Sequence, residues 1–190
     1  MLTDSQRATR VADNGGPPVP AGPSTMNPPV QIRDARRDDG DLLAGYATAM
    51  AWETEHKRLD PDTVRRGVAA VLADPQRGRY FIAERDGGAV GTAMLTYEWS
   101  DWRNGAWWWL QSVYVAPVAR RGGVFTALYR HLLAAATAEP GVCGLRLYVE
   151  HENQAAQATY AALGMRDAGY RMLEHALPRG SRSPADPAPG

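Results

Sequence analysis

The apolar positions of the chain change period several times, and each change marks an element. Gln31-Ile32-Arg33 reads as a short strand. After Asp38 or Asp39 as a cap, Leu42, Leu43, Tyr46 and Met50 recur at helical spacing. Trp52 extends that inner face, which predicts a helix to about residue 54. Pro61-Asp62-Thr63 opens a second helix carrying Val64, Val68, Val71 and Leu72. Residues 80–84 and 89–97 read as strands around a hairpin turn at Asp86-Gly87-Gly88, and Asn104-Gly105 leads into a long central strand over residues 106–115. Val124, Phe125, Leu128, Leu132 and Leu133 then mark a helix. An apolar strand over residues 145–149, another helix and a closing pair of strands complete the pattern. This is an α/β chain without internal repeats. The flanking residues 1–29 and 178–190 are rich in Pro and Gly and predict disordered tails, so one domain is expected over residues 30–177. Met26 offers a second start position.

Chemistry concentrates after the central strand. Pro117 stops that strand, Arg120-Arg121-Gly122-Gly123 forms a tight loop, and a helix starts at Val124. A helix N-terminus presents unpaired N–H groups and a favourable dipole to an anion. Gly122 and Gly123 clear side chains from the approach, and the two arginines add positive charge. The loop reads as a phosphate cradle. It is not a Walker loop, since Gly-x-x-x-x-Gly-Lys is absent, and it lacks the dinucleotide pattern Gly-x-Gly-x-x-Gly.

Arg120, Gly123 and Phe125 resemble the acetyl-CoA pyrophosphate loop of the GNAT N-acetyltransferase superfamily, Gln/Arg-x-x-Gly-x-Gly/Ala. Phe125 departs from the small residue usual there, which predicts an aromatic ring packed under the loop. Asn153, Ala156, Tyr160, Gly164 and Met165 resemble a second motif of that family, Asn-x-x-Ala-x-x-x-Tyr-x-x-x-Gly-Phe, with Met165 for Phe. The resemblance spans about residues 30–177 and implies a central mixed sheet flanked by helices. It also implies transfer of acetyl from acetyl-CoA to a primary amine of a small molecule or peptide, by direct attack in a ternary complex.

The resemblance assigns roles as well. Val113, Tyr114 and Val115 would offer backbone contacts to pantetheine, with a backbone N–H of this bulged strand stabilising the oxyanion. Arg120, Arg121, Gly122, Gly123, Val124 and Phe125 would hold the pyrophosphate. Asn153, beside Ala156, would bond the pantetheine arm or cap the helix, and the two roles are compatible. Tyr160 would act as general acid toward the CoA sulfur; ordinary core packing is the alternative. The amine must also lose a proton, because an unperturbed lysine-like amine has a pKa of about 10.4. Glu98, Glu53 and Glu55 are the candidate bases, each against a plain surface role. Gln111 stands where many relatives carry Glu, and Gln cannot act as a base.

Residues 97–109 hold five tryptophans among acidic residues. Alternation places Trp107 and Trp109 on one face and Trp108 on the other. One face should join the core; the other would line an acceptor pocket or a homodimer contact. Glu53, Glu55, Trp99, Trp102 and Gln111 are the expected acceptor residues, and the clustering of Glu53, Glu55, Glu98 and Asp101 with tryptophans, in segments that the resemblance places at the acceptor cleft, predicts a cationic primary amine on an apolar or aromatic body. Catalytically silent acyl-CoA binding and an unrelated phosphate-binding activity are the competing readings.

Charge narrows the partners. The 190 residues carry a formal net charge of zero, which does not favour nucleic acid. No run of about 18 apolar residues or signal-peptide pattern appears, and Cys143 is the sole cysteine, so a soluble cytoplasmic protein without disulfides is expected. Cys143 itself reads as a small buried hydrophobe. His56, His131, His151 and His175 lack metal-ligand spacing, so no metal is expected.

Overall fold

In the computed structural model, which describes residues 28–175 and 177, a five-stranded sheet carries the site. The elements are β1 (Gln31–Asp34), α1 (Gly40–Glu55), α2 (Pro61–Ala73), β2 (Arg79–Arg85), β3 (Gly88–Ser100), β4 (Gly105–Val115), α3 (Val124–Ala138), β5 (Val142–Leu147) and α4 (Gln154–Ala162). The strands lie in chain order; β1 to β4 are antiparallel and β5 is parallel to β4. Asp86 and Gly87, both at positive φ (52° and 75°), make the tight turn between β2 and β3. The tails expected over residues 1–29 and 178–190 lie almost wholly outside the described residues.

The sheet is covered on both faces. Phe81, Ala93, Leu95, Trp108 and Leu110 pack against Val124, Leu128 and Leu132 of α3. Leu128 and Leu132 are 1% and 0% exposed, worth roughly 1.5–3 kcal/mol each. On the other face Ile82 packs with Leu43 and Ala44 of α1 and Val68 of α2. Asp60 caps α2 by accepting from the Thr63 N–H. Asp39 takes the N-cap position of α1 but makes no side-chain cap bond. Its carboxylate instead accepts from Arg33 and from the Arg36 N–H. Among the described residues, no helix is long and apolar enough to cross a membrane.

Two expectations change. Trp52 is 48% exposed rather than on the inner face of α1. The closing strands are not formed among the described residues: after α4 the chain runs without strand pairing through residue 175. Asp167 accepts from the Gly169 N–H at 2.7 Å, and Gly169 has φ +73°, so a local turn interrupts the extended run.

Candidate active site

β4 changes character at Ser112. Thr92 pairs with Tyr114 and Met94 with Gln111, so Ser112 and Val113 oppose Ala93 alone. Ser112 has φ +47°, the mark of a bulge. The bulge decides which side chains face the site. Leu110 and Tyr114 are an even number of residues apart, and regular alternation would put both on the α3 face. The extra residue turns Tyr114 toward α1, where its hydroxyl donates to Glu53 at 2.9 Å. Pairing between β4 and β5 runs from Ala106↔Val142 to Leu110↔Leu147 and stops. From Gln111 to Val115, β4 therefore has no neighbour on its β5 side. Val113, Tyr114 and Val115 lie along this open edge.

The edge leads into the Arg- and Gly-rich loop. Arg121 and Gly123 have φ of +60° and +77°. The first bond of α3 runs from the Ala127 N–H to the Gly123 carbonyl, so the amides of Val124 and Phe125 are free for an anion. A Cβ on Gly123 would meet nothing within 4 Å, whereas one on Gly122 would lie 2.8 Å from Arg85. Arg85 donates to the Gly122 carbonyl at 2.6 Å and leaves its Nε buried without a partner. Nothing local in the sequence marks Arg85, because it meets the loop 37 residues away.

Arg120 turns back from the loop. It donates to the Val115 carbonyl at 3.0 Å, lies over the Tyr114 ring and pairs with Glu53. The bonds from Arg120 and Tyr114 hold the Glu53 carboxyl below its ordinary range. Glu55 stands exposed at the end of α1.

The two motifs meet in space. The Phe125 ring lies 5.3 Å from Tyr160, edge to face, so the expected aromatic under the loop is present and touches α4. Burial pushes the Tyr160 phenol upward, which keeps it protonated at neutral pH. The Asn153 side chain accepts from the Ala156 N–H at 3.0 Å, so capping is its role in this structure.

A third group lies farther along the α1 face. Trp108 is buried in the core, while Trp107 and Trp109 face the other way. Glu98 accepts from Arg146 at 2.6 Å and from the Trp109 indole at 2.6 Å. Arg146 covers the Trp107 ring at 4.2 Å, and Tyr148 stacks on Trp109 at 4.4 Å. Burial alone would raise the Glu98 pKa, but the bonds from Arg146 and Trp109 outweigh it and hold the group charged. Glu98 pairs with Trp107, four residues from Gln111, a separation of about 14 Å along the strand. Trp99 pairs with Ala106, about 17 Å from Gln111, and Trp99 and Trp102 are 65% and 91% exposed. The structure thus does not gather the expected acceptor residues: Gln111 lies at the bulge, Glu53 at the loop, and Glu98, Trp99 and Trp102 farther along the hairpin. Gln111 donates to Thr96 Oγ1 at 2.7 Å, leaving its amide oxygen as an acceptor. Among the described residues, no group of three or more His, Cys, Asp or Glu side chains is placed to hold a metal ion.

Known proteins share this arrangement. The profile of the Acetyltransferase (GNAT) family matches residues 36–165. The chain is 30% identical over 139 residues to a mycothiol acetyltransferase of Nocardia farcinica (strain IFM 10152). That match covers 73% of this chain but 42% of the relative, so the chain spans less than half of that protein. A solved structure of a possible acetyltransferase from Clostridium difficile 630 is 42% identical, with a TM-score of 0.74 over 79% of this chain and 99% of that one. A predicted acetyltransferase from Clostridium acetobutylicum solved with acetyl-CoA shares the fold at 18% identity and a TM-score of 0.62, over 76% of this chain and 96% of that one. With an open bulged strand running into a helix start whose first amides are free, and with a profile match over most of its length, the chain belongs to the acetyltransferase (GNAT) family.

Proposed function

We propose that the protein transfers the acetyl group of acetyl-CoA to a primary amine of a small molecule or peptide. The observation that carries this is the continuity of the unpaired β4 edge with the free amides at the start of α3, beside Tyr160. The open backbone of Val113, Tyr114 and Val115 would hold the pantetheine arm as a further strand would. Val124 and Phe125 amides, with Gly123 giving clearance, would take the pyrophosphate. Arg85 and Arg121 add positive charge. Asn153, already engaged as a cap, acts by setting the start of α4 and so the position of Tyr160.

The reaction forms a C–N bond to the carbonyl carbon and breaks the C–S bond of the thioester. A backbone N–H at the bulge would stabilise the oxyanion. Tyr160 would give its proton to the departing thiolate, a role that suits a phenol kept protonated by burial. The amine proton would leave through water held by the Gln111 amide oxygen. Glu98 is firmly paired, and fixes Arg146 and Trp109 rather than taking that proton directly.

Acetyl-CoA with a panel of amines, read by release of free CoA thiol, tests the proposal. Mycothiol-related amines join the panel because of the Nocardia farcinica relative. Amine-dependent thiol release supports it. Tight acetyl-CoA binding without thiol release from any amine would replace it with a silent acyl-CoA-binding role.

A further inference from the structure

Sequence alone led to a cationic acceptor, because acidic residues surround the tryptophans. In the structure two of those carboxylates are already paired. Glu53 is paired with Arg120 and Glu98 with Arg146. Positive charge without a partner lies instead at the end of α1. His56, at φ +51°, stops the helix, and the chain turns back through Lys57, Arg58 and Leu59. A cavity of about 320 Å³ opens there, lined by Thr48, Trp52, Lys57, Arg58 and Leu59. The Arg58 guanidinium lies 5.5 Å from the Trp52 ring. Neither Lys57 nor Arg58 joins an ion pair among the described residues. Lys57 is also the only lysine of the chain.

The place of this cavity matters. The cavity lies at the same end of α1 as Glu53, which reaches both Tyr114 and Arg120. A larger cavity of about 400 Å³, lined by Arg37, Asp41, Arg65 and Leu72 among others, lies at the opposite end of α1. Twelve residues separate Gly40 from Trp52, about 18 Å of helix, so that cavity is remote from the proposed chemistry.

We propose that the Trp52–Lys57–Arg58 cavity binds the body of the acceptor, and that the acceptor is an amine also carrying an oxyanion beside a flat apolar group. The indole and the Arg58 guanidinium offer a flat, partly desolvated wall. Arg58 presents planar paired donors that match a carboxylate or phosphate, and Lys57 adds a point charge. The cavity lining holds the two cations and no carboxylate. The volume lies at the low end for ligand cavities, which suits a body of amino-acid size. This inference rests on the acetyltransferase reading above.

The test has a kinetic arm and a binding arm. Tryptophan and phenylalanine are compared with tryptamine and phenethylamine, which lack the carboxylate, as acceptors for the wild type, Lys57→Gln and Arg58→Gln. The expected result is preference for the carboxylate-bearing acceptors. Their KM should rise about tenfold to a hundredfold in either variant, while that of tryptamine and phenethylamine changes less, so that the preference for the carboxylate is lost. In the binding arm, reductive ¹³C-methylation of the full chain gives one lysine-side-chain NMR signal, from Lys57. Indole-3-propionate, which has no amine to acetylate, should shift that signal, and indole-3-propanamide should not. Phenyl phosphate acting at lower concentration than indole-3-propionate would make the anion a phosphate. If no amine is acetylated, the acetyltransferase reading fails, while the lysine signal still decides whether the cavity takes anions. A signal indifferent to both anions, or tryptamine preferred over tryptophan, overturns the proposal.

Discussion

Phe125, on the first turn of α3, meets Tyr160 of α4 edge to face with ring centroids 5.3 Å apart. One residue belongs to the loop proposed to take the pyrophosphate and the other is the proposed acid. The packing of two rings therefore fixes the distance between the loop and the phenol. Edge-to-face pairs contribute about 0.5–1.5 kcal/mol beyond area burial, and this one also sets geometry.

Tyr160→Phe keeps the ring and removes the proton. It should lower kcat by roughly 10²–10⁴-fold with little change in melting temperature or acetyl-CoA affinity. Phe125→Ala should cost about 1–3 kcal/mol, less than a fully buried Phe, and lower kcat through a displaced Tyr160. Because burial raises the Tyr160 pKa, the acid stays competent through neutrality and is lost as pH rises through that raised value, above about 10. Steady-state kinetics across pH check this; an unchanged kcat in Tyr160→Phe, with chemistry shown to be rate-limiting, removes the residue from the mechanism.

The donor loop separates two glycines by what surrounds them. Gly123→Glu has room for its Cβ but would place a carboxylate where the pyrophosphate is expected. Acetyl-CoA should raise the melting temperature of the wild type and not of this variant. Arg85→Met removes both the bond to the Gly122 carbonyl and a positive charge behind the loop. It should weaken acetyl-CoA binding about tenfold or more by calorimetry, with the acceptor KM little changed. Equal affinity in Arg85→Met would show that the loop holds its shape without this brace.

Much of this was legible in the residues, and what escaped had long reach. Local chemistry gave the Asp86-Gly87 turn, the helix opened by Pro61 and both motifs, because turns and helix starts are set by a few adjacent residues. Ser112 carries no signal for its bulge: the extra residue exists only by comparison with β3, and a serine at positive φ is imposed by the sheet. Arg146 lies 48 residues from Glu98, and Arg120 lies 67 from Glu53. Such pairs decide whether a carboxylate is free, so a count of acidic residues does not by itself give the charge that a site presents. Trp52 stands nine residues after Leu43, about 180° around the helix, so it falls on the face opposite Leu43 while its neighbour Ala51 stays buried.

Asp39 gives an independent test of the electrostatics, away from the chemistry. Arg33 donates two bonds to it, and the Arg36 N–H adds a third. The Arg33 bond lowers the Asp39 pKa against the opposing effect of burial. A carboxylate with a depressed folded pKa contributes stability above its unfolded value and loses it as pH falls through the folded one. Asp39→Asn should therefore destabilise the protein by about 1 kcal/mol at pH 7, and the difference should shrink below about pH 3.8, the ordinary carboxyl value. Denaturant titrations of both proteins at several pH values measure it; a difference that persists at pH 2 would mean that packing is what the substitution disturbs.

Glu98 and Gln111 divide the last question, which concerns the amine proton. Were Glu98 the base, Glu98→Gln would depress the rate most at low pH, where neutral amine is scarcest. The geometry argues otherwise. Glu98 stands about 14 Å from Gln111 along the strands, and Arg146 and Trp109 occupy both of its oxygens. Releasing it would strand the Arg146 guanidinium between two tryptophans. Glu98→Gln should therefore scale the rate by a constant factor, roughly two- to tenfold, and leave the shape of the pH–rate profile alone. Gln111→Leu keeps the size of the side chain and removes the acceptor oxygen at the bulge. It should lower kcat/KM by at least about tenfold and raise the pH at which the rate levels off. Gln111→Glu puts a titratable group at the same place and should bring a new acid limb into the profile. Profiles of kcat/KM for the three variants decide the matter. A bent profile in Glu98→Gln together with a normal one in Gln111→Leu would return the base to Glu98.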